Sequence, residues 1–136
     1  MGLRMTVTMW SDFEELKVLL EAEGESEEMA ELEKSWAALH FLLTDGQPDR
    51  TDLPMGFLRA EVCDSEETRR IAEALEPLTV EALMARYDPI AIAAADLYGV
   101  TGGEGDDEYI AGAYEELREV VLEAAEAGKG LLLYIG

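Results

Sequence analysis

The chain closes on Leu131-Leu132-Leu133-Tyr134-Ile135, five apolar residues in a row directly after Gly128-Lys129-Gly130. A strand with one face in water alternates apolar and polar side chains. A strand that does not alternate is covered on both faces, which predicts a central place in a sheet for this segment. The opposite end of the chain supplies a neighbour. Leu3, Met5, Val7 and Met9 alternate with Arg4, Thr6 and Thr8, the period of two expected of a strand with one buried face. A sheet that draws on both chain ends must have everything between them packed around it.

Most of what lies between reads as helix. Ser11 with Glu14 three residues on forms a capping box, and Phe13, Leu16, Leu19 and Leu20 give the first helix its apolar stripe. Glu21–Glu33 holds seven glutamates and reads as a solvated connection into a second helix, whose first turn favours negative charge. On that helix Met29, Leu32, Trp36, Leu39, His40 and Leu43 recur at spacings of three and four, one helical face. Thr44-Asp45-Gly46-Gln47-Pro48 ends it with turn chemistry. Leu58, Ala60 and Val62 alternate with Arg59 and Glu61, a second strand near 56–62. Asp64 and Glu67 cap a third helix with Ile71, Ala72 and Leu75 inward, and Thr79 caps a short one through Tyr87 with Leu83 inward. Asp88-Pro89 starts an alanine-rich helix to about Tyr98, which could approach a neighbour closely. The longest helix opens at Asp106 or Asp107, carries Ile110, Tyr114, Leu117, Val121 and Ala124, and closes at Gly128. The expectation is a helix-rich α+β fold, about six helices on a small mixed sheet that includes both terminal strands, in a single domain over 1–136.

Charge narrows the partners. With 31 acids against 10 bases the net charge is −21, spread along the chain and not gathered in a tail. Phosphates would be repelled and no basic stripe exists to release counterions, so nucleic acid and anionic membranes are excluded as expected partners. A basic protein would be attracted; a solvated surface selected for solubility is the plainer reading of the same charge. Cys63 is the single cysteine, so neither an internal disulfide nor a cysteine-rich zinc site is expected. Met1-Gly2-Leu3-Arg4 lacks the apolar core of a signal peptide, and no apolar run reaches membrane-span length. The expected address is the cytoplasm.

Five pieces stand in order along the chain: the Met1-Gly2 start into a strand, the Ser-Asp-Phe-Glu-Glu-Leu helix opening, Trp36-Ala37-Ala38-Leu39-His40-Phe41-Leu42-Leu43-Thr44, Tyr87-Asp88-Pro89-Ile90-Ala91-Ile92-Ala93-Ala94-Ala95-Asp96-Leu97-Tyr98 and Gly128-Lys129-Gly130-Leu131-Leu132-Leu133-Tyr134-Ile135. Together they resemble the YfbM-like family of small bacterial proteins, a domain of unknown function. The resemblance implies one α+β domain in a bacterial cytosol. It brings no established activity and no catalytic residues.

Candidate chemistry is sparse. His40, the only histidine, could be a general base with Trp36 one turn earlier as a pocket wall, or a half-buried group tying its helix to a neighbour. Asp96 sits among alanines before Leu97-Tyr98 and is expected to be buried and bonded, to backbone N–H groups or to His40. Asp88 and Asp96 are eight residues apart, about 12 Å along a helix, beyond the roughly 5–9.5 Å of a glycosidase pair; Asp88 reads as a cap. Cys63 precedes a helix but is ringed by acids, and reads as a small buried hydrophobe. The loop 99–108 lacks a P-loop ending and the ligand spacing of an EF-hand, so neither phosphate nor calcium is expected there. Trp10 lies on the polar parity of the first strand, either a contact residue on an edge or core beneath a helix, and Tyr109 lies beside the stripe of the long helix. The leading expectation is a non-catalytic binding module that docks or neutralises a basic protein, with Trp36, His40, Asp96 and Tyr98 as binding candidates. The alternative is a small hydrolase-like enzyme using His40 with a carboxylate such as Asp96. No cofactor or metal is expected, and oligomeric state is not legible.

Overall fold

The computed structural model describes residues 5–22, 30–33, 35–43, 62–95 and 103–135. Ten elements run in the order β1 (Met5–Trp10), α1 (Phe13–Glu21), β2 (Ala30–Glu33), α2 (Trp36–Leu43), β3 (Val62–Cys63), α3 (Ser65–Leu75), α4 (Val80–Met84), α5 (Pro89–Ala95), α6 (Asp106–Glu126) and β4 (Gly130–Ile135). The architecture is α+β, as expected. The four strands form one sheet in the order β2-β1-β4-β3. Both chain-end strands are interior. Every pairing among the described residues is antiparallel, and not the mixed arrangement expected: the long helical excursion between β3 and β4 returns the chain antiparallel to β3.

β1 and β4 pair along their whole lengths, from Met5 opposite Ile135 to Trp10 opposite Gly130. Alternation then assigns the two faces. Met5, Val7, Leu131 and Leu133 enter the main core with α6 and α3, while Trp10 and Leu132 form a second cluster with Leu16 and Leu19 of α1. Helices therefore cover both faces. Thr6 and Thr8 are buried, which corrects the expectation of one solvated face on β1. Threonine tolerates that position because its β-branched shape suits a pleated, enclosed strand.

A second correction concerns the glutamate-rich stretch. Ala30–Glu33 is a strand paired antiparallel to β1, with an irregular register between Met5 and Thr6. Leu32 is buried on that strand and not on a helix. Ser35 makes the switch: its N–H (2.9 Å) and its hydroxyl (2.6 Å) both donate to the Leu32 carbonyl, while its own carbonyl accepts from Leu39 N–H at 2.9 Å. Met29 and the expected alternation at 58–61 lie outside the described residues.

α6 is the spine. Ile110, Ala113, Tyr114, Leu117, Val120, Val121 and Ala124 form its buried stripe over 21 residues, about 31 Å of helix. It ends where Gly128 takes a positive φ of 71°. Lys129 N–H then reaches the Ala124 carbonyl (2.8 Å) and Gly128 N–H the Ala125 carbonyl (3.2 Å), the paired closure that turns the chain into β4. Two α6 side chains also reach the turn after α3. Tyr114 Oη donates to the Leu78 carbonyl at 2.7 Å; Arg118 donates through Nε to Leu75 (3.0 Å) and through Nη2 to Glu76 (2.5 Å).

The caps largely match expectation. Glu67 N–H donates to Asp64 Oδ1 at 2.8 Å and Asp64 N–H to Glu67 Oε1 at 3.5 Å, a full capping box on α3. Thr79 Oγ1 accepts from Ala82 N–H on α4, which stops at Met84, short of Tyr87. On α1 the cap is Asp12, accepting from Glu15 N–H at 2.9 Å, and not Ser11. Ser11…Glu14 and Asp12…Glu15 both fit the capping pattern, and the carboxylate one residue later takes the role.

Candidate functional site

On α2 the buried residues are Ala38, Leu39, Leu42 and Leu43, with Trp36 and His40 half-buried one turn apart on the flank. None of the residues of α2 is fully exposed, and His40 is its one polar side chain. At its C-terminal end Arg86 Nη1 donates to the Leu42 carbonyl at 2.8 Å, pinning α2 to the α4–α5 connection. Asp96 and Tyr98, the other two binding candidates, lie outside the described residues, as do residues 99–102 of the glycine-rich loop. Asp88 acts as a cap, Oδ1 accepting from Ile90 N–H at 3.0 Å. Three of the four alanines of α5 do not make the close approach expected of them: Ile92 is buried and Ala91 half-buried, while Ala93, Ala94 and Ala95 are exposed.

Cys63 is 1% exposed in the core. Burial pushes its thiol up to about 12, and the carboxylates of Glu67 and then Asp64 add to the shift. At neutral pH it is protonated and inert as a nucleophile. The consequence for stability has a definite sign. The folded thiol holds its proton above the ordinary value of 9.0, so its contribution is complete below about pH 9 and is lost as pH rises towards 12. Tyr114, raised by burial from 10.0 to about 12, adds the same trend from about pH 10. Urea unfolding from about pH 8 to about pH 11 is expected to show falling stability, at up to about 1.4 kcal/mol per pH unit for each group. Cys63→Ala should flatten the first part of that decline. An unchanged slope in the variant would remove Cys63 as its source.

Trp10 proves to be core. Its indole stacks on Phe13 (centroids 6.0 Å apart, planes at 30°) and packs with Leu16, Leu19 and Leu132. Its N–H is buried without an acceptor among the described residues, so packing, not hydrogen bonding, holds it. Phe13 itself is 76% exposed and Leu20 46%, although both belong to the expected buried stripe of α1. Leu16 and Leu19 are the residues of α1 buried against the sheet. Tyr109, by contrast, packs half-buried against the main core.

A cleft of about 170 Å³ lies elsewhere, where the start of α3 meets the end of α6, lined by Ser65, Glu66, Arg69, Ala125 and Gly128. It contains none of the candidates read from the sequence, because its walls come from chain segments some sixty residues apart. Among the described residues no group of three or more His, Cys, Asp or Glu side chains is placed to hold a metal ion, and no helix is long and apolar enough to cross a membrane.

DUF1877, a domain of unknown function, matches residues 6–134. The chain belongs to the DUF1877 family. Its fold is similar to that of YfbM from Escherichia coli, solved as a protein of unknown function, with a TM-score of 0.68 and 18% identity. That similarity covers 98% of this chain and 99% of YfbM, and at such identity it concerns the fold alone. No curated protein matches the sequence. The family resemblance carried by the helix-opening, Trp36–Thr44 and terminal-strand motifs is thereby established. For this DUF1877 chain α2 offers a half-buried histidine on a packed helix.

Proposed function

We propose that this DUF1877 protein is a non-catalytic binding module that docks a basic protein. The observation that carries the reading is the row of outward acids on α6; the exposed bases among the described residues, Lys17, Arg69 and Arg70, lie on α1 and α3. Arg86 and Arg118 are half-buried and donate to backbone carbonyls at Leu42, Leu75 and Glu76. The acids stand outward. On α6, Glu115, Glu116, Glu119, Glu123 and Glu126 are all exposed, and Arg118 is the only base on that helix. Glutamates at i, i+3 and i+4 repel each other by a few tenths of a kcal/mol per pair, a cost an opposite charge from outside would remove. Such a field speeds encounter with a cationic surface and makes binding fall with salt.

The test uses the intact protein immobilised against a lysate of its host. Basic proteins identified by mass spectrometry should be retained at low ionic strength and released at about 0.5 M salt, where screening acts within a few ångströms. Retention of no basic protein, or retention indifferent to salt, would remove the proposal.

A further inference from the structure

We infer that an apolar strip beside α1 receives the apolar side of a cationic amphipathic helix from that partner; this rests on the acidic docking reading above and gives it a place. Phe13 and Leu20 are seven residues apart on α1, which at about 100° per residue brings them to the same side of the helix. Both are exposed, and Leu16, between them, is buried beneath. A third exposed apolar residue stands on the same face of the sheet, beyond the buried Trp10 and Leu132. Phe13 stacks on Trp10, Trp10 packs against Leu132, and Leu132 lies opposite Val62 in the β3–β4 pairing, with Val62 41% exposed. Residues opposite in an antiparallel pair project from the same face, so Val62 belongs to the face that α1 only partly covers.

Charge says what covers the rest. Asp12, Glu14, Glu15 and Glu21 are exposed around the strip, against a single base, Lys17. A second copy of the chain would bring −21 against −21 and meet the same acids. A helix with apolar anchors at i, i+3 or i+4 and i+7, flanked by Lys or Arg, matches both the apolar line and its rim. Anchors in the strip would set the dissociation rate, while the rim acids would set the approach and its salt sensitivity.

The experiment titrates the protein with a synthetic amphipathic peptide of Leu, Lys and Arg, and with a scrambled peptide of identical composition. The patterned peptide is expected to bind more tightly by about tenfold or more, as for a pair of anchor residues. Its amide-shift footprint should fall on α1 and β3. Phe13→Ser/Leu20→Ser should abolish that advantage, and so should Leu20→Ser/Val62→Ser, which leaves the Phe13–Trp10 stack intact. Val18→Ser, exposed on another side of α1, should not. Equal binding of both peptides, untouched by the strip variants, overturns the strip while leaving acidic docking in place. Failure of both peptides at low salt overturns the docking reading and the strip with it. A dimer in sedimentation that the strip variants dissolve would assign the surface to a second copy and overturn the inference.

Discussion

Gly130→Ala is expected to destabilise the fold by about 3 kcal/mol, the upper part of the range for forcing volume into a packed interior. A Cβ at position 130 would lie 2.5 Å from the Cys63 carbonyl oxygen, and 2.6 and 2.7 Å from Trp10 Cε2 and Cζ2. Gly130 has no positive φ, so the effect is one of space and not of backbone conformation. Neither neighbour yields cheaply. The carbonyl belongs to the strand that pairs with β4 through Cys63 and Leu131, and the indole is held by Phe13, Leu16, Leu19 and Leu132. Relief requires either a looser β3 edge or a tilted Trp10 lifting α1. Urea unfolding should show a lower midpoint with an unchanged slope. Combining Gly130→Ala with Trp10→Leu should cost less than the sum of the two single changes, because the pair shares one space. A midpoint equal to that of the parent protein would show that the sheet accommodates the methyl group.

Tyr114→Ala should be larger still, about 4 kcal/mol. Tyr114 is fully buried at the centre of α6, and truncation of a large aromatic leaves a cavity that the surrounding stripe can only partly fill. Tyr114→Phe keeps the ring and loses the 2.7 Å bond to the Leu78 carbonyl. Its cost should be only about 1 kcal/mol, because Leu78 is half-buried and water can take up part of the acceptor's demand. Against a typical total stability of about 5–15 kcal/mol, the first change leaves a marginal protein and the second a sound one. Thermal or urea unfolding of the two variants should separate them clearly. If Tyr114→Phe proved as damaging as Tyr114→Ala, the hydroxyl and not the ring would be the main tie between α6 and the α3–α4 turn.

The elements read most easily from the residues were those with local rules. The continuous run at Leu131–Ile135 announces an interior strand, and all five residues read as the stripe of α6, from Ile110 to Ala124, are buried, with Ala113 and Val120 added beside them. Asp64, Thr79 and Asp88 took the caps their positions implied. β2 was not legible. Four residues in a glutamate-rich segment carry too little periodicity, and their strand conformation comes from the hydrogen bonds of β1. The site was less legible than the fold. Trp36 and His40 were placed correctly on one helix, but their half-burial depends on what packs against α2, and their expected companions Asp96 and Tyr98 lie outside the described residues.

By itself, then, the sequence determined the α+β class, the family, the interior place of β4, the caps at Asp64, Thr79 and Asp88 and a charge of −21, since each depends on spacing or composition along the chain. Only the tertiary structure decided that both faces of β1 are covered, that Trp10 is core while Phe13 is exposed, and that Arg86 and Arg118 turn inward to distant carbonyls. Those outcomes are set by which segments meet across tens of residues. Periodicity tells a side chain that it has an inner side; the partner on that side belongs to another part of the chain.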